Sequence, residues 1–148
     1  MSWGHKGGTT CRAPNGVLRI IVTVSSRGLI LFAHGARDPR WLEPFEQLRA
    51  KVAAREPDVP VMLAFLELMT PNLETAASGL VARGCTSLTI VPVFLGRGGH
   101  VRRDLPELVA RIVAAHPNVA LHIAAAIGEN ATVQDAMAQA CSDELAAS

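Results

Sequence analysis

The fold of this chain is decided by one stretch, Thr89-Ile-Val-Pro-Val-Phe-Leu-Gly-Arg-Gly-Gly-His-Val-Arg-Arg-Asp104. Its first half is apolar and rich in β-branched residues, as expected for a strand that is buried on both faces. The strand stops in a Gly-rich turn, which delivers His100 and leads into an amphipathic segment. Because ligands bind at the carboxyl ends of the strands in an open α/β sheet, His100 lies where a functional site is expected.

A second stretch, Gly28-Leu-Ile-Leu-Phe-Ala-His-Gly-Ala-Arg-Asp38, repeats this pattern of apolar strand, histidine, glycine, arginine and aspartate. Apolar runs and helical periodicity alternate along the rest of the chain. They predict strands at residues 28–33, 59–66, 86–95 and 119–126, and helices at 39–56, 71–83, 104–116 and 130–146.

Cap signals set several of these predicted boundaries. Thr70 is expected to cap the second helix with Pro71 at its first position, and Gly84 is expected to close it. Asp104 and Glu107 have the spacing of a capping box, so we expect the third helix to begin at Asp104.

Alternating β and α units with short connections predict a parallel sheet with right-handed crossovers and helices on both faces. The expected fold class is therefore α/β, a single-domain, flavodoxin-like three-layer sandwich with four parallel strands in the order 2-1-3-4. In that order the first three strands are neighbours. His34, Glu67 and His100 follow these three strands, so their side chains are expected to share one crevice.

Composition excludes several functional classes. The 148 residues carry a net charge of +1 and include no Tyr, which argues against a nucleic-acid binder. Three widely spaced cysteines argue against a disulfide framework and favour a reducing, cytoplasmic location. The short apolar run near the amino terminus is interrupted by Arg19 and is too short to span a bilayer. We expect residues 1–27 to be a weakly ordered extension and residues 28–148 to be the domain.

Two imidazoles and one carboxylate suit a divalent first-row transition metal, and three protein ligands leave one coordination position open. His34, His100 and Glu67 are therefore the candidate metal ligands and catalytic groups. A neutral imidazole either ligates a metal or acts as a base near neutral pH, so the sequence does not separate these roles. His116 and His122 are interpreted as structural.

Arginines and glycines surround the two histidines. Arg37, Arg40, Arg97, Arg102 and Arg103 lie in the two histidine segments. Arginine pairs with carboxylates in a bidentate manner, which indicates a ligand with several carboxylates. Gly96, Gly98 and Gly99 permit positive φ and close approach of a ligand to the backbone. Their spacing matches neither a Walker loop nor a dinucleotide fingerprint, which disfavours nucleotide binding.

The two segments, with Ala64-Phe-Leu-Glu67 between them, resemble the short CbiX/SirB group of class II chelatases, and the similarity runs from Gly28 to about Gly128. The resemblance implies a chelatase-like fold and ATP-independent insertion of a divalent metal into sirohydrochlorin, a tetrapyrrole with eight carboxylates. It implies metal-binding and catalytic roles for His34, His100 and Glu67, and substrate contacts for the neighbouring groups. These expected substrate-binding residues are Arg37, Arg97, Gly98, Gly99 and Arg102.

The resemblance also implies a homodimer, because the short form looks like half of the longer two-domain chelatases. No cofactor is expected beyond the substrate metal, with Co²⁺ first and Fe²⁺ or Ni²⁺ as alternatives, since all three accept the same ligands. One departure from the family is Ala36, where many members have Ser. Three other functions stay open at this point: a metal-delivery protein without chelatase activity, a metal-dependent hydrolase and a non-enzymatic binding domain.

Overall fold

The computed structural model describes residues 26–96 and 98–147, except for the side chains of residues 99–102. Four parallel strands form one sheet in the order β2-β1-β3-β4. Strand β1 is Arg27–Ala33, β2 is Val61–Phe65, β3 is Ser87–Pro92 and β4 is Ala120–Ile123. The predicted strand order is confirmed. Of the expected extension at residues 1–27, only Ser26 and Arg27 lie within the described residues.

Four α-helices connect and follow the strands. Helix α1 is Glu43–Arg55, α2 is Leu73–Ala82, α3 is Gly99–Ala115 and α4 is Ala131–Ala147. Short 3-10 helices precede α1 and α4, at Pro39–Leu42 and Ile127–Glu129. Strand β1 ends at Ala33 as predicted, whereas β2, β3 and β4 are shorter than predicted at both ends.

Helices cover both faces of the sheet, in agreement with the predicted three layers. On one face, α2 and α3 pack on Ile30, Phe32 and Ile90, which are fully buried. On the other face, α1 packs over β2 and β1, with half-buried Phe45 and Leu48 against the strand residues. Apolar strand residues thus point to both faces, as expected for parallel strands between two helical layers.

The register of the sheet aligns the carboxyl ends of its first three strands. Ala33, the last residue of β1, lies opposite Phe65, the last residue of β2. Phe32 lies opposite Pro92, the last residue of β3. The loops after all three strands therefore leave the sheet at one level and on one edge, as predicted.

Two predicted helix starts are wrong. Helix α2 is capped by Asn72, whose side chain accepts a hydrogen bond from the Thr75 amide at 2.8 Å, and not by Thr70. Helix α3 begins at Gly99, five residues before the predicted cap at Asp104. In both cases the sequence offers two cap-like positions in close succession, and the tertiary path of the loop selects between them. The expected end of α2 is confirmed, since Gly84 follows the helix with a φ of +91°.

Helix α4 is nearly detached from the rest of the domain. None of its residues within Ala131–Ala147 is buried. Its main contacts are to the preceding 3-10 helix, including a hydrogen bond of 2.9 Å from the side-chain Nε2 of Gln134 to the Gly128 carbonyl. No helix in the described part of the chain combines the length and apolar character needed to cross a membrane.

Candidate active site

The loops after β1 and β2 are joined directly at His34 and Glu67. The Glu67 amide donates a hydrogen bond of 3.0 Å to the carbonyl of His34, and the Leu66 amide donates one of 2.8 Å to Ala33. The backbone at Leu68 has a φ of 62°, so the chain turns sharply after Glu67. This pairing continues the β1–β2 ladder by two residues and places the two functional residues side by side.

Gly35 is required for this junction. Its φ is +91°, a conformation that side chains with a Cβ rarely adopt, and a Cβ added there would overlap the carbonyl oxygen of Glu67. The His-Gly pair recognised in the sequence therefore has a structural explanation. The glycine lets the second loop lie against the first, and the histidine is presented at the point of contact.

The imidazole of His34 is oriented by Phe94. The two ring centroids lie 4.4 Å apart at an interplanar angle of 46°. Phe94 follows β3, is 4% exposed, and packs edge-on against Phe32 of the core at 5.8 Å. One face of the His34 ring is thus supported by the hydrophobic core, while the residue itself remains exposed to the crevice.

A cavity of about 280 Å³ opens at this edge of the sheet and is lined by His34, Leu66, Glu67 and Asp104. The structure thus brings two of the three predicted ligands, His34 and Glu67, to one cavity. A hollow of about 340 Å³ along the outer edge of β2 and another of about 180 Å³ are lined by no histidine among the described residues. The predicted ligands His34 and Glu67 thus line the cavity of about 280 Å³ and neither of the other two hollows.

His100 lies in the first turn of α3 instead of in the predicted loop. The helix begins after Gly98, which has an extended backbone with a φ of −66° and makes no side-chain cap. Residues four positions apart in an α-helix lie on one side of it, so the backbone of His100 lies one turn before that of Asp104. The side chain of His100 lies outside the described residues.

The glycines of this turn do not use the positive φ that glycine permits. Among described residues, Gly35 and Gly84 are the glycines with positive φ, and Gly98 is extended. Instead, a Cβ at Gly96 or Gly98 would meet no atom within 4 Å, so both glycines border open space. Gly99, also expected to bind substrate, is the first residue of α3.

The arginines of the first histidine segment differ in their availability. Arg40 is engaged by Asp38, with its Nε and Nη2 atoms donating to the carboxylate at 2.8–3.2 Å. The hydrogen bonds from Arg40 lower the pKa of the Asp38 carboxyl and raise that of the arginine. Arg37 is exposed and makes no side-chain hydrogen bond or ion pair within the described part of the chain. Arg37 is therefore the arginine of this segment that is free for a ligand.

Arg97 and Arg102 of the second segment are also expected to bind substrate. Arg97 lies outside the described residues, and so does the side chain of Arg102. His116, in contrast, has the predicted structural role. Its Nε2 atom lies 3.0 Å from the hydroxyl of Ser78, which links the end of α3 to α2. His122 is exposed on β4, away from the cavity.

Asp104 is the site residue that the sequence interpretation missed. It was assigned to a helix cap, which would have used its carboxylate on the backbone of α3. The available signal was its spacing of four from His100, which places both on one helical face once the helix starts earlier.

Among the described side chains, no three His, Cys, Asp or Glu groups are close enough to hold a metal ion together. His34, Glu67 and Asp104 thus share the cavity without forming a complete metal site by themselves.

Comparison with known proteins agrees with this arrangement. The CbiX family model matches residues 28–144, which is most of the chain. The chain belongs to the CbiX family. The match includes β1, β2, β3 and the three loops at the site, so the family resemblance noted in the sequence is confirmed.

Individual CbiX relatives support the same conclusion. A sirohydrochlorin cobaltochelatase from Methanosarcina acetivorans is 34% identical over 83 residues, which are 56% of this chain and 64% of that protein. The chain thus spans less than two thirds of the length of this curated relative.

Two solved structures are similar over a larger share of the chain. A CbiX protein of Marinobacter aquaeolei VT8, assigned to cobalamin (vitamin B12) biosynthesis, superimposes with a TM-score of 0.74 and 34% identity, covering 82% of this chain and 99% of that one. The sirohydrochlorin chelatase SirB of Bacillus subtilis subspecies spizizenii, in complex with cobalt, gives a TM-score of 0.66 and 25% identity. That match covers 80% of this chain but only 50% of SirB.

We predict that Gly35→Ala disrupts the site more than Gly84→Ala, although both glycines have a φ of +91°. At Gly84 a Cβ meets no atom within 4 Å, so alanine there costs only the backbone strain, about 1–2 kcal/mol. At Gly35 the overlap with Glu67 adds to this strain and forces the two loops apart. Urea denaturation of both variants measures the difference, and equal losses of stability would contradict the proposed close contact.

Proposed function

We propose that this CbiX protein inserts a divalent metal, Co²⁺ in the first place, into sirohydrochlorin without ATP. The observation that carries the proposal is the cavity at the carboxyl ends of β1 and β2, where His34 and Glu67 are joined by their backbones. The names of the relatives support the substrate and the metal. The protein is accordingly a metal chelatase of the cobaltochelatase or ferrochelatase type.

In the proposed reaction, two pyrrole N–H bonds break, the metal forms bonds to the ring nitrogens and two protons are released. His34 and His100 hold the incoming ion with neutral imidazole nitrogens, which suit Co²⁺, Fe²⁺ and Ni²⁺ alike. Glu67 orients the ion or accepts a proton. The support of the His34 ring by Phe94 fixes the direction of one ligand before the metal arrives.

Charge complementarity supports a substrate rich in carboxylates. Arg37 is exposed beside the cavity loop and has no carboxylate partner among the described residues, so it is free to pair with a substrate carboxylate. We assign the same role to Arg97 and Arg102. Gly98 and Gly99 allow the ring to approach the start of α3, since a Cβ at Gly98 would point into open space.

The cavity of one chain is small for such a substrate. Pockets for drug-sized ligands measure roughly 300–1,000 Å³ and enclose most of the ligand, whereas this one measures about 280 Å³ and must serve a much larger ring. We propose that a second copy of the chain forms the other wall, as a homodimer. SirB supports this assembly, because this chain covers half of the SirB length.

Helix α4 supplies the surface for such a dimer. Val133, Met137, Cys141 and Leu145 recur at intervals of four and form one apolar stripe along the helix. Leu145 is 80% exposed and Met137 is 37% exposed. An exposed apolar stripe along a helix is typical of an interface.

The metal insertion is tested by mixing the purified protein with sirohydrochlorin and Co²⁺, Fe²⁺ or Ni²⁺ in competition, and following the absorption spectrum of the tetrapyrrole. We expect His100→Ala to lower the rate at least about 100-fold, the usual contribution of a positioned catalytic group, while the circular dichroism spectrum is unchanged. His122→Ala, which removes an exposed histidine on β4, is the matched control and keeps full activity. Binding of Co²⁺ without any spectral change of sirohydrochlorin would instead indicate a metal-delivery protein.

The role of Arg37 is tested against Arg40. Arg37→Gln is expected to raise the KM for sirohydrochlorin about 10-fold, because one charge-assisted hydrogen bond to a substrate carboxylate contributes roughly 1.5–3 kcal/mol. Arg40→Gln should change KM much less, since Arg40 already pairs with Asp38. An equal effect of both substitutions would show a general loss of positive charge and not a specific contact.

The homodimer is tested by light scattering coupled to size-exclusion chromatography. Wild-type protein is expected to have twice the mass of the chain. The double substitution Met137→Asp and Leu145→Asp should give a monomer, because it places charges on the apolar stripe. Gln139→Glu, on the opposite face of α4, is the control and should remain dimeric. A monomeric wild-type protein would rule out the assembly.

A further inference from the structure

The carboxylate of Asp104 lines the same cavity as His34 and Glu67 and has no role in the function proposed above. We propose that Asp104 is a catalytic residue, which accepts one of the two pyrrole protons released when the metal enters the ring. The inference rests on the proposed function, because it assigns a group to a step of that reaction.

The position of Asp104 is set by a well-anchored helix. Leu105, the next residue, is 5% exposed and packs into the core, as does Ile112 two turns later. Helix α3 is further tied to α2 by an ion pair of 2.8 Å between Arg111 and Glu74. A carboxylate next to such an anchor is held at a defined distance from the sheet edge, as a proton acceptor requires.

The carboxylate is available for a ligand. Asp104 is exposed and makes no side-chain hydrogen bond or ion pair within the described part of the chain. Asp38 provides a contrast, because its oxygens are occupied by Arg40 and by the backbone amide of the same residue. Of these two aspartates in the histidine segments, only Asp104 has free oxygens facing the cavity.

The geometry favours contact with the ring over contact with the metal. His34, Glu67 and Asp104 line one cavity, yet no three such groups among the described side chains are close enough to share an ion. Asp104 therefore does not complete a metal site with the other two. Asp104 belongs to the helix that follows β3 and Glu67 to the loop that follows β2, and β1, which His34 follows, lies between these two strands.

The reaction releases two protons, and these two carboxylates are the groups that accept them. A divalent ion replaces two pyrrole protons, so two protons must be accepted for each metal inserted. Imidazoles that coordinate the ion with their lone pairs cannot accept protons at the same time. A ring nitrogen that begins to bind the metal becomes more acidic, which makes a carboxylate a sufficient base. Asp104 takes one proton, Glu67 takes the other, and both pass them to solvent.

The inference is tested with Asp104→Asn, which keeps the shape of the side chain and removes its charge. Insertion of Co²⁺ into sirohydrochlorin is followed at saturating metal, and binding of Co²⁺ alone is measured by calorimetry. We expect kcat to fall about 100-fold, while the KM and the dissociation constant for Co²⁺ stay within about 2-fold of wild type. A larger solvent deuterium isotope effect on kcat is expected in the variant, because proton removal becomes slower. Asp104→Glu should recover part of the rate.

The matched control is Asp58→Asn, which makes the same change of charge at an exposed turn before β2, at the opposite edge of the sheet. It should leave every parameter unchanged. Wild-type activity in Asp104→Asn would overturn the inference and leave the proposed function intact. A weaker Co²⁺ affinity with unchanged kcat would overturn it as well, since Asp104 would then be a metal ligand. A wild-type protein that inserts no metal overturns the proposed function and this inference together.

Discussion

The hydrogen bond from the Glu67 amide to the His34 carbonyl is the contact on which the site depends. It extends the pairing of β1 and β2 beyond the sheet and joins the two loops into one side of the cavity. The contact exists only because Gly35 has no Cβ and adopts a φ of +91°. A single glycine therefore links the backbone geometry of the sheet edge to the chemistry of the histidine and the carboxylate beside it.

The loop after β3 is held next to the first two loops by other contacts. The Val93 amide donates to Phe32 at 2.7 Å, and the Gly128 amide donates to Phe94 at 2.9 Å. Phe94 then supports the ring of His34, so the loop after β3 positions a residue that follows β1. Because these contacts come from three strands, the order of the sheet is itself part of the site. A different strand order would separate the groups while leaving each strand–loop unit unchanged.

The two faces of the sheet are covered unequally. Helices α2 and α3 bury one face completely at Ile30, Phe32 and Ile90. On the other face, α1 is the one helix of the described residues that packs on the sheet, and Val91 and Val93 remain half-buried. In a closed three-layer domain, the last helix would be expected to complete this second layer. Helix α4 instead keeps its residues exposed. The unequal layers, the exposed helix and the small cavity have a common explanation in the homodimer proposed above.

The sequence by itself determined the fold class, the strand order and the strand ends that His34 and Glu67 follow. Apolar runs, helical periodicity and the repeated histidine–glycine pattern are local signals, and parallel sheets allow few ways to connect such units. Only the tertiary structure decided where α3 begins, and hence that Asp104 lines the cavity. Several residues before it are compatible with a helix start, and the loop after β3 is fixed by contacts with β1 and with Gly128, which are distant in sequence. The same limit applies to Arg37 and Arg40, which look alike in the sequence but differ because only Arg40 meets Asp38.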